Sequence, residues 1–138
     1  MDVKPERSGW RDAALSLRHR EWGVACPAVD IDFLLVEYAR NGPVALIEYK
    51  NEYAVIPHEQ HPSFNAVRVL ANNSRIPFYL CRYATDFEWF EVTALNPVGD
   101  AKLGARQRQL CERQYVKFLY YLRYQTVPAE IEAKLKFW

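Results

Sequence analysis

Asp32, Glu48 and Lys50 are the residues whose types and spacing point to chemistry. Glu48 and Lys50 lie two apart in "PVALIEYKNEYAV" (43–55), an otherwise apolar stretch, and strand residues two apart share a face. Asp32 sits in the preceding apolar stretch, "AVDIDFLLVEYA" (28–39). Charges buried in such surroundings without partners cost several kcal/mol or shift their pKa values. Two clustered carboxylates repel, and a divalent cation relieves the repulsion. Hard oxygen ligands suit Mg²⁺ or Mn²⁺. A lysine beside them can orient or deprotonate a water, or stabilise charge developing on a phosphate. The chemistry implied is metal-assisted hydrolysis of a phosphodiester. The plainer alternative is a cross-strand Asp32–Lys50 ion pair with Glu48 flanking it.

The two stretches flank "RNG", so they read as a β-hairpin whose turn decides which side chains meet. A two-residue Asn41-Gly42 turn puts Asp32 and Glu48 on opposite faces. A three-residue loop, 40–42, with Gly42 left-handed, sets Asp32 opposite Lys50 and places all three charges on one face. Leu34, Val36, Val44 and Leu46 would share that face; Ile31, Phe33, Leu35, Ala45, Ile47 and Tyr49 would form the other. Both are apolar, as in central strands covered by helices on both sides.

The elements around the hairpin follow from periodicity and capping. Residues 10–20, "WRDAALSLRHR", read as a helix with Ser8 as N-cap, stopping before Gly23. A short extended piece over 22–26 precedes Pro27. Residues 61–73 form a helix with Pro62 in its first turn and Val67, Leu70 and Ala71 on one side. "IPFYLCRY" and "EWFEVTAL" are strands. Residues 99–104 read as loop. A long amphipathic helix covers 105–124, with Leu110, Tyr115, Phe118, Leu119 and Leu122 inward, and a short helix follows over 128–136. The order is α-β-β-β-α-β-β-α-α. The crossover from 43–55 through the helix to "IPFYLCRY" makes those two strands parallel.

Composition bounds the rest. The 138 residues fit one domain, half of them apolar, with net charge +1. From Lys102 onward eight basic residues face three acidic ones, a net +5; the first 101 carry ten against fourteen, a net −4. Within the acidic part Lys4, Arg7, Arg11, Arg18 and Arg20 make the start locally basic, and basic ends around an acidic middle suit a polyanion gripped around a cation site, and equally suit solvated helix faces. Cys26, Cys81 and Cys111 form no CxxC pair and no zinc-spaced cluster, the pattern of a reduced, cytoplasmic protein. The first residues lack the apolar run of a signal peptide, and no segment has the length of a membrane span.

"VDIDFLLVEYARNGPVALIEYK" resembles the core motif of the PD-(D/E)XK nucleases, the restriction-endonuclease-like superfamily. Residues 10–83 resemble their shared α-β-β-β-α-β core in order and spacing. The resemblance implies an α/β fold with a central mixed sheet flanked by helices, plus one extra strand and C-terminal helices. It would make 1–138 a single nuclease-like domain, with the core at about 10–95 and a helical extension at about 104–138. Asp32 stands for the motif aspartate, with Asp30 competing. Glu48-Tyr49-Lys50 stands for the (D/E)XK element. Asp32 and Glu48 would bind Mg²⁺ or Mn²⁺ with the Tyr49 carbonyl, and Lys50 would act on the attacking water. Glu21, with Asp12 behind it, is the nearest match to a further glutamate from the first helix. Gln60 could be a family-like polar residue near the site.

His58 and His61 could touch phosphate or metal-bound water; loop and helix-cap roles are commoner. Arg18 and Arg20 could bind phosphate and Trp22 could stack on a base; a solvated helix end with Trp22 in the core competes evenly. The function expected is a Mg²⁺-dependent deoxyribonuclease, endonucleolytic rather than exonucleolytic, leaving 5′-phosphate and 3′-hydroxyl ends. The alternative is a catalytically silent nucleic-acid-binding or assembly module of the same fold. The aromatic C-terminal helix is a candidate surface for a homo-oligomer or a larger nuclease assembly.

Overall fold

The apolar run Val44–Ile47 lies in β2 (Gly42–Asn51), the longest strand among the described residues, and the rest of the sheet is built outward from it. The computed structural model describes residues 13–23 and 25–135, which divide between two compact units, Met1–Asp30 and Ile31–Trp138.

In the first unit, α1 (Ala13–Glu21) ends on Arg18, His19 and Arg20, cations that complement the negative C-terminal end of a helix. The expected residues 10–12 of this helix and its Ser8 cap lie outside the described residues. The extended piece expected at 22–26 is no strand among the described residues. Gly23, at φ 91, turns the chain, and the Cys26 amide donates to the Gly23 carbonyl. Glycine reaches this left-handed geometry without a steric cost, so the segment closes on itself.

The second unit holds an α/β fold around a five-stranded mixed sheet in the order β1-β2-β3-β4-β5. Its elements are β1 (Phe33–Glu37), β2, α2 (Pro62–Ser74), β3 (Phe78–Tyr83), β4 (Phe90–Ala94), α3 (Pro97–Leu103), β5 (Gln107–Leu110), α4 (Glu112–Leu122) and α5 (Ala129–Glu132). β2 and β3 are parallel, as the crossover through α2 requires; the other pairs are antiparallel.

Two cores lie on the two faces. Leu46, Phe78 and Leu95 pack against Phe64, Val67 and Ala71 of α2. Ala45, Ile47, Tyr79, Cys81 and Val92 pack against Leu103 of α3 and Tyr115 and Leu122 of α4. Leu70, expected on the inner side of α2, is exposed.

Three expectations fail for local reasons. The glycines and proline of 97–104 are capping signals of α3 rather than signs of a loop. Pro97 opens the helix, the Asn96 side chain accepts from the Gly99 amide at 2.9 Å, and Gly104 closes it at φ 77. Gly99 also admits a close approach: a Cβ there would meet Asn96 Oδ1 at 3.0 Å and Tyr79 Cε1 at 3.1 Å. Second, the helix expected from 105 starts at Glu112, because Gln107–Leu110 pairs with the edge of β4. Helix propensity there is a few tenths of a kcal/mol per residue, and tertiary pairing overrides it. Third, β1 is an edge strand, not a central one, so Phe33 and Leu34 are exposed.

A candidate metal centre on the β1–β2 edge

The hairpin closes in neither of the two ways weighed from sequence. Tyr38–Arg40 forms a 3-10 turn, and Asn41, not Gly42, takes the left-handed conformation at φ 53. Asparagine tolerates this region better than most residues. Glu37 pairs with Gly42 and Val36 with Pro43, and then a bulge lets Leu35 meet Ala45 and Leu34 meet Leu46. The extra residue, Val44, joins the core under α4 rather than the face it was assigned. Beyond the bulge the register is even, so the line of Asp32 extends to Glu48 instead of Lys50, and Asp32, Glu48 and Lys50 share a face.

That face meets α2 at Leu46 and leaves it by Glu48. The carboxylate of Glu48 lies 3.6 Å from Lys50 Nζ, with 17% of the Glu48 side chain exposed and 28% of the Lys50 side chain. Asp32 stands one residue before β1, where the ladder has stopped. Its Oδ2 accepts the Tyr49 amide at 3.1 Å, so a side chain replaces the missing strand partner. Burial first, and the Asp32 charge second, push the Glu48 carboxyl from an ordinary 4.5 up to about 7, against the opposing pull of Lys50.

Tyr49 contributes only its backbone here. Its side chain points into the opposite core, where its hydroxyl meets that of Tyr115 at 2.5 Å and burial raises it to about 12. The amides of Leu46 and Glu52 are spent on β3, so the odd residue Tyr49 turns both its N–H and its carbonyl toward the β1 side, where Asp32 stands.

Arg82 escaped the sequence reading. The parallel register sets it beside Lys50, and its alternation with Phe78 and Leu80 puts it on the same face. Its guanidinium donates to the Glu52 carbonyl at 2.9 Å and lies 3.8 Å from Glu91. The signal was present in "FYLCRY", once the crossover fixed the neighbour. A cleft of about 230 Å³ opens beside Arg82, walled by Leu80 and Thr93 and by Ile56 and Glu59 of the loop after β2. Glu59, paired with Arg106, is held below its usual pKa by that guanidinium. Arg68 pins the same loop, donating to the Glu59 carbonyl at 2.7 Å and the Leu95 carbonyl at 2.6 Å.

The remaining candidates are placed as follows. His58 accepts the Gln60 amide in a turn, and the Gln60 carbonyl accepts from Asn65, so both close the loop. His61 is the N-cap of α2, accepting from the Ser63 amide. Arg18, Arg20, Glu21, Trp22 and Asp30 belong to the first unit, where the His19 and Trp22 rings lie 5.2 Å apart. Asp12 is outside the described residues. Burial raises the Cys81 thiol to about 12, which leaves it no thiolate character.

Among the described residues no three His, Cys, Asp or Glu side chains gather to hold a metal ion. Asp32 and Glu48 supply two oxygen donors, and strand alternation turns the Tyr49 carbonyl toward the same β1 side. Their chemistry fits a hard cation: they share one face, and burial with the Asp32 charge pushes the Glu48 carboxyl up to about 7, a penalty that a divalent ion would relieve. Comparisons with family models, with curated proteins and with solved structures find no match. No helix among the described residues is long and apolar enough to cross a membrane.

Proposed function

We propose that the chain is a metal-dependent nuclease of the PD-(D/E)XK type that hydrolyses DNA phosphodiester bonds. The observation that carries this reading is the meeting of Asp32, Glu48 and Lys50 on one partly buried face, with Glu48 unable to ionise freely beside Asp32. Asp32 and Glu48 are the residues that would hold Mg²⁺ or Mn²⁺, with the Tyr49 carbonyl as a third donor. Such an ion, when bound, neutralises phosphate charge and makes water a better nucleophile near neutral pH.

The chain's own residues do the rest. Glu48 would hold such an ion as the carboxylate, its proton passing to solvent. Lys50, 3.6 Å from Glu48, would present its ammonium to the attacking water or to the phosphate. Arg82, held in register with Lys50, offers a second cation to a phosphate oxygen. The products would carry 5′-phosphate and 3′-hydroxyl ends.

The test is incubation of the full chain with single-stranded, duplex and branched DNA and Mg²⁺ or Mn²⁺, beside Lys50→Ala and Glu48→Ala. Cleavage should fall by at least about a hundredfold in each variant. Cleavage that survives both sinks the assignment.

A second reading is a catalytically silent nucleic-acid-binding or assembly module of the same fold. It draws on the two-residue donor set and on the Lys50–Glu48 ion pair, which already offsets one charge. Calorimetric titration with Mg²⁺ and Mn²⁺ separates the two. The nuclease reading requires binding that Glu48→Ala abolishes, and the silent module shows none.

A further inference from the structure

At the other end of β2, about 17 Å along the strand from Glu48, a second cleft of about 190 Å³ opens. Arg40, Arg75, Lys102 and Arg123 line it, against one acid, Glu37. Glu37 is buried and already committed: its Oε2 lies 3.2 Å from Arg123, and its Oε1 accepts the Ala39 amide. The other three cations have no acid partner among the described residues. Arg40 and Lys102 instead crowd one tyrosine. The Arg40 guanidinium lies 4.2 Å from the centre of the Tyr124 ring, and Lys102 Nζ lies 5.4 Å from it and 3.4 Å from its hydroxyl. Two like charges on one ring repel, and the ring satisfies neither as a carboxylate or phosphate would.

Helix capping does not account for the cluster. Arg75 and Arg123 are the C-caps of α2 and α4, and Lys102 is in the last turn of α3, so three negative helix ends converge here. Each end is worth about half a charge. Backbone amides already take their carbonyls: Arg75 N–H bonds Ala71 and Asn72, Gly104 N–H bonds Asp100, and Arg123 N–H bonds Tyr120 and Tyr121. The side-chain cations are therefore left over, and the four against one acid outweigh the helix ends.

We propose that this cleft is a binding site for a phosphate group. Its volume of about 190 Å³ is about six water molecules' share, which admits a phosphate with part of its hydration. Arg40 and Arg75 would supply planar donor pairs and Lys102 a point charge, with Tyr124 as a neutral donor. The assignment is independent of the acid pair at the other end of β2.

The test uses the full chain without divalent cations. Titration of inorganic phosphate and of pyrophosphate, by calorimetry at low ionic strength, should show saturable binding that weakens as NaCl is added. Arg75→Gln combined with Lys102→Gln should weaken pyrophosphate binding by at least about tenfold, with an unchanged melting temperature. Arg123 is left in place because Glu37 depends on it. If the double variant unfolds, the exposed Arg40→Gln alone should still weaken binding. Saturation by neither anion, or equal binding by wild type and folded variants, overturns the site. Competition by a single-stranded oligonucleotide in a Glu48→Gln background would assign the phosphate to a nucleic-acid backbone; binding of the free anion without that competition would assign it to a free phosphoanion.

Discussion

Glu48 and its neighbour Tyr49 leave the same strand in opposite directions and meet opposite surroundings. Tyr49 enters a core closed by α4, where Phe33, Tyr83 and Tyr115 present ring edges to it and its hydroxyl has one partner, Tyr115. Glu48 reaches the point where α2 no longer covers the sheet, beside Asp32 and Lys50. Burial raises both pKa values, Tyr49 to about 12 and Glu48 to about 7. The same physical cause has different consequences because the starting values differ. A tyrosine moved upward stays neutral at any ordinary pH, and the group is structural. A carboxyl moved to neutrality becomes a proton donor that a cation can displace.

The largest break of this comparison is in activity and metal binding. Glu48→Gln should remove divalent-ion binding and lower any cleavage by at least about a hundredfold, whereas Tyr49→Phe should leave both within a fewfold of wild type. Calorimetry in buffers of differing ionisation enthalpy sharpens the point: near pH 7 the wild type should release protons as Mg²⁺ binds, and Tyr49→Phe should release the same number. Loss of proton release in Tyr49→Phe would mean the two faces are coupled.

Stability should divide the faces the other way. Tyr115→Ala opens a cavity in the α4 core and should cost about 3–5 kcal/mol in chemical denaturation. Glu48→Gln should instead stabilise the chain above neutral pH. Below about pH 4.5 the Glu48 carboxyl is protonated in both the folded and unfolded states and carries no penalty. Between 4.5 and about 7 the unfolded chain ionises first, so the wild type loses stability across that window and stays lower above it. With solvent screening the loss is on the order of 2 kcal/mol. Melting curves from pH 4 to 8 should show it in wild type and not in Glu48→Gln. The smallest effect belongs to Tyr115→Phe, which strands the Tyr49 hydroxyl and should cost about 1 kcal/mol.

Much of the arrangement was legible along the chain. The run from Val44 to Tyr49 demanded a buried strand. The Pro62 start of α2 and the parallel crossover to β3 followed from capping and connection rules. The co-facial placement of Asp32, Glu48 and Lys50 was one of two open parities. Asn41 and the bulge at Val44 selected the even one by a route that the "RNG" turn did not reveal. Elsewhere the local signal pointed wrongly. "QRQL" has helix-forming residues, but an unpaired edge of β4 offers four residues a ladder, and no periodicity within the segment records that offer. Arg82 lacked a partner in sequence until the β2–β3 register set it beside Lys50.

By itself, then, the sequence determined which residues carry chemistry and which runs must be buried, because residue type and the periods of strand and helix are local properties. Tertiary structure decided which of those residues meet. It placed Asp32 on the Tyr49 amide, set Arg82 beside Lys50, and gathered Arg40, Arg75, Lys102 and Arg123 from four distant segments into one cleft. Such meetings depend on strand register, bulges and the extent of helix cover, which are set by contacts between segments and have no period to be read along the chain.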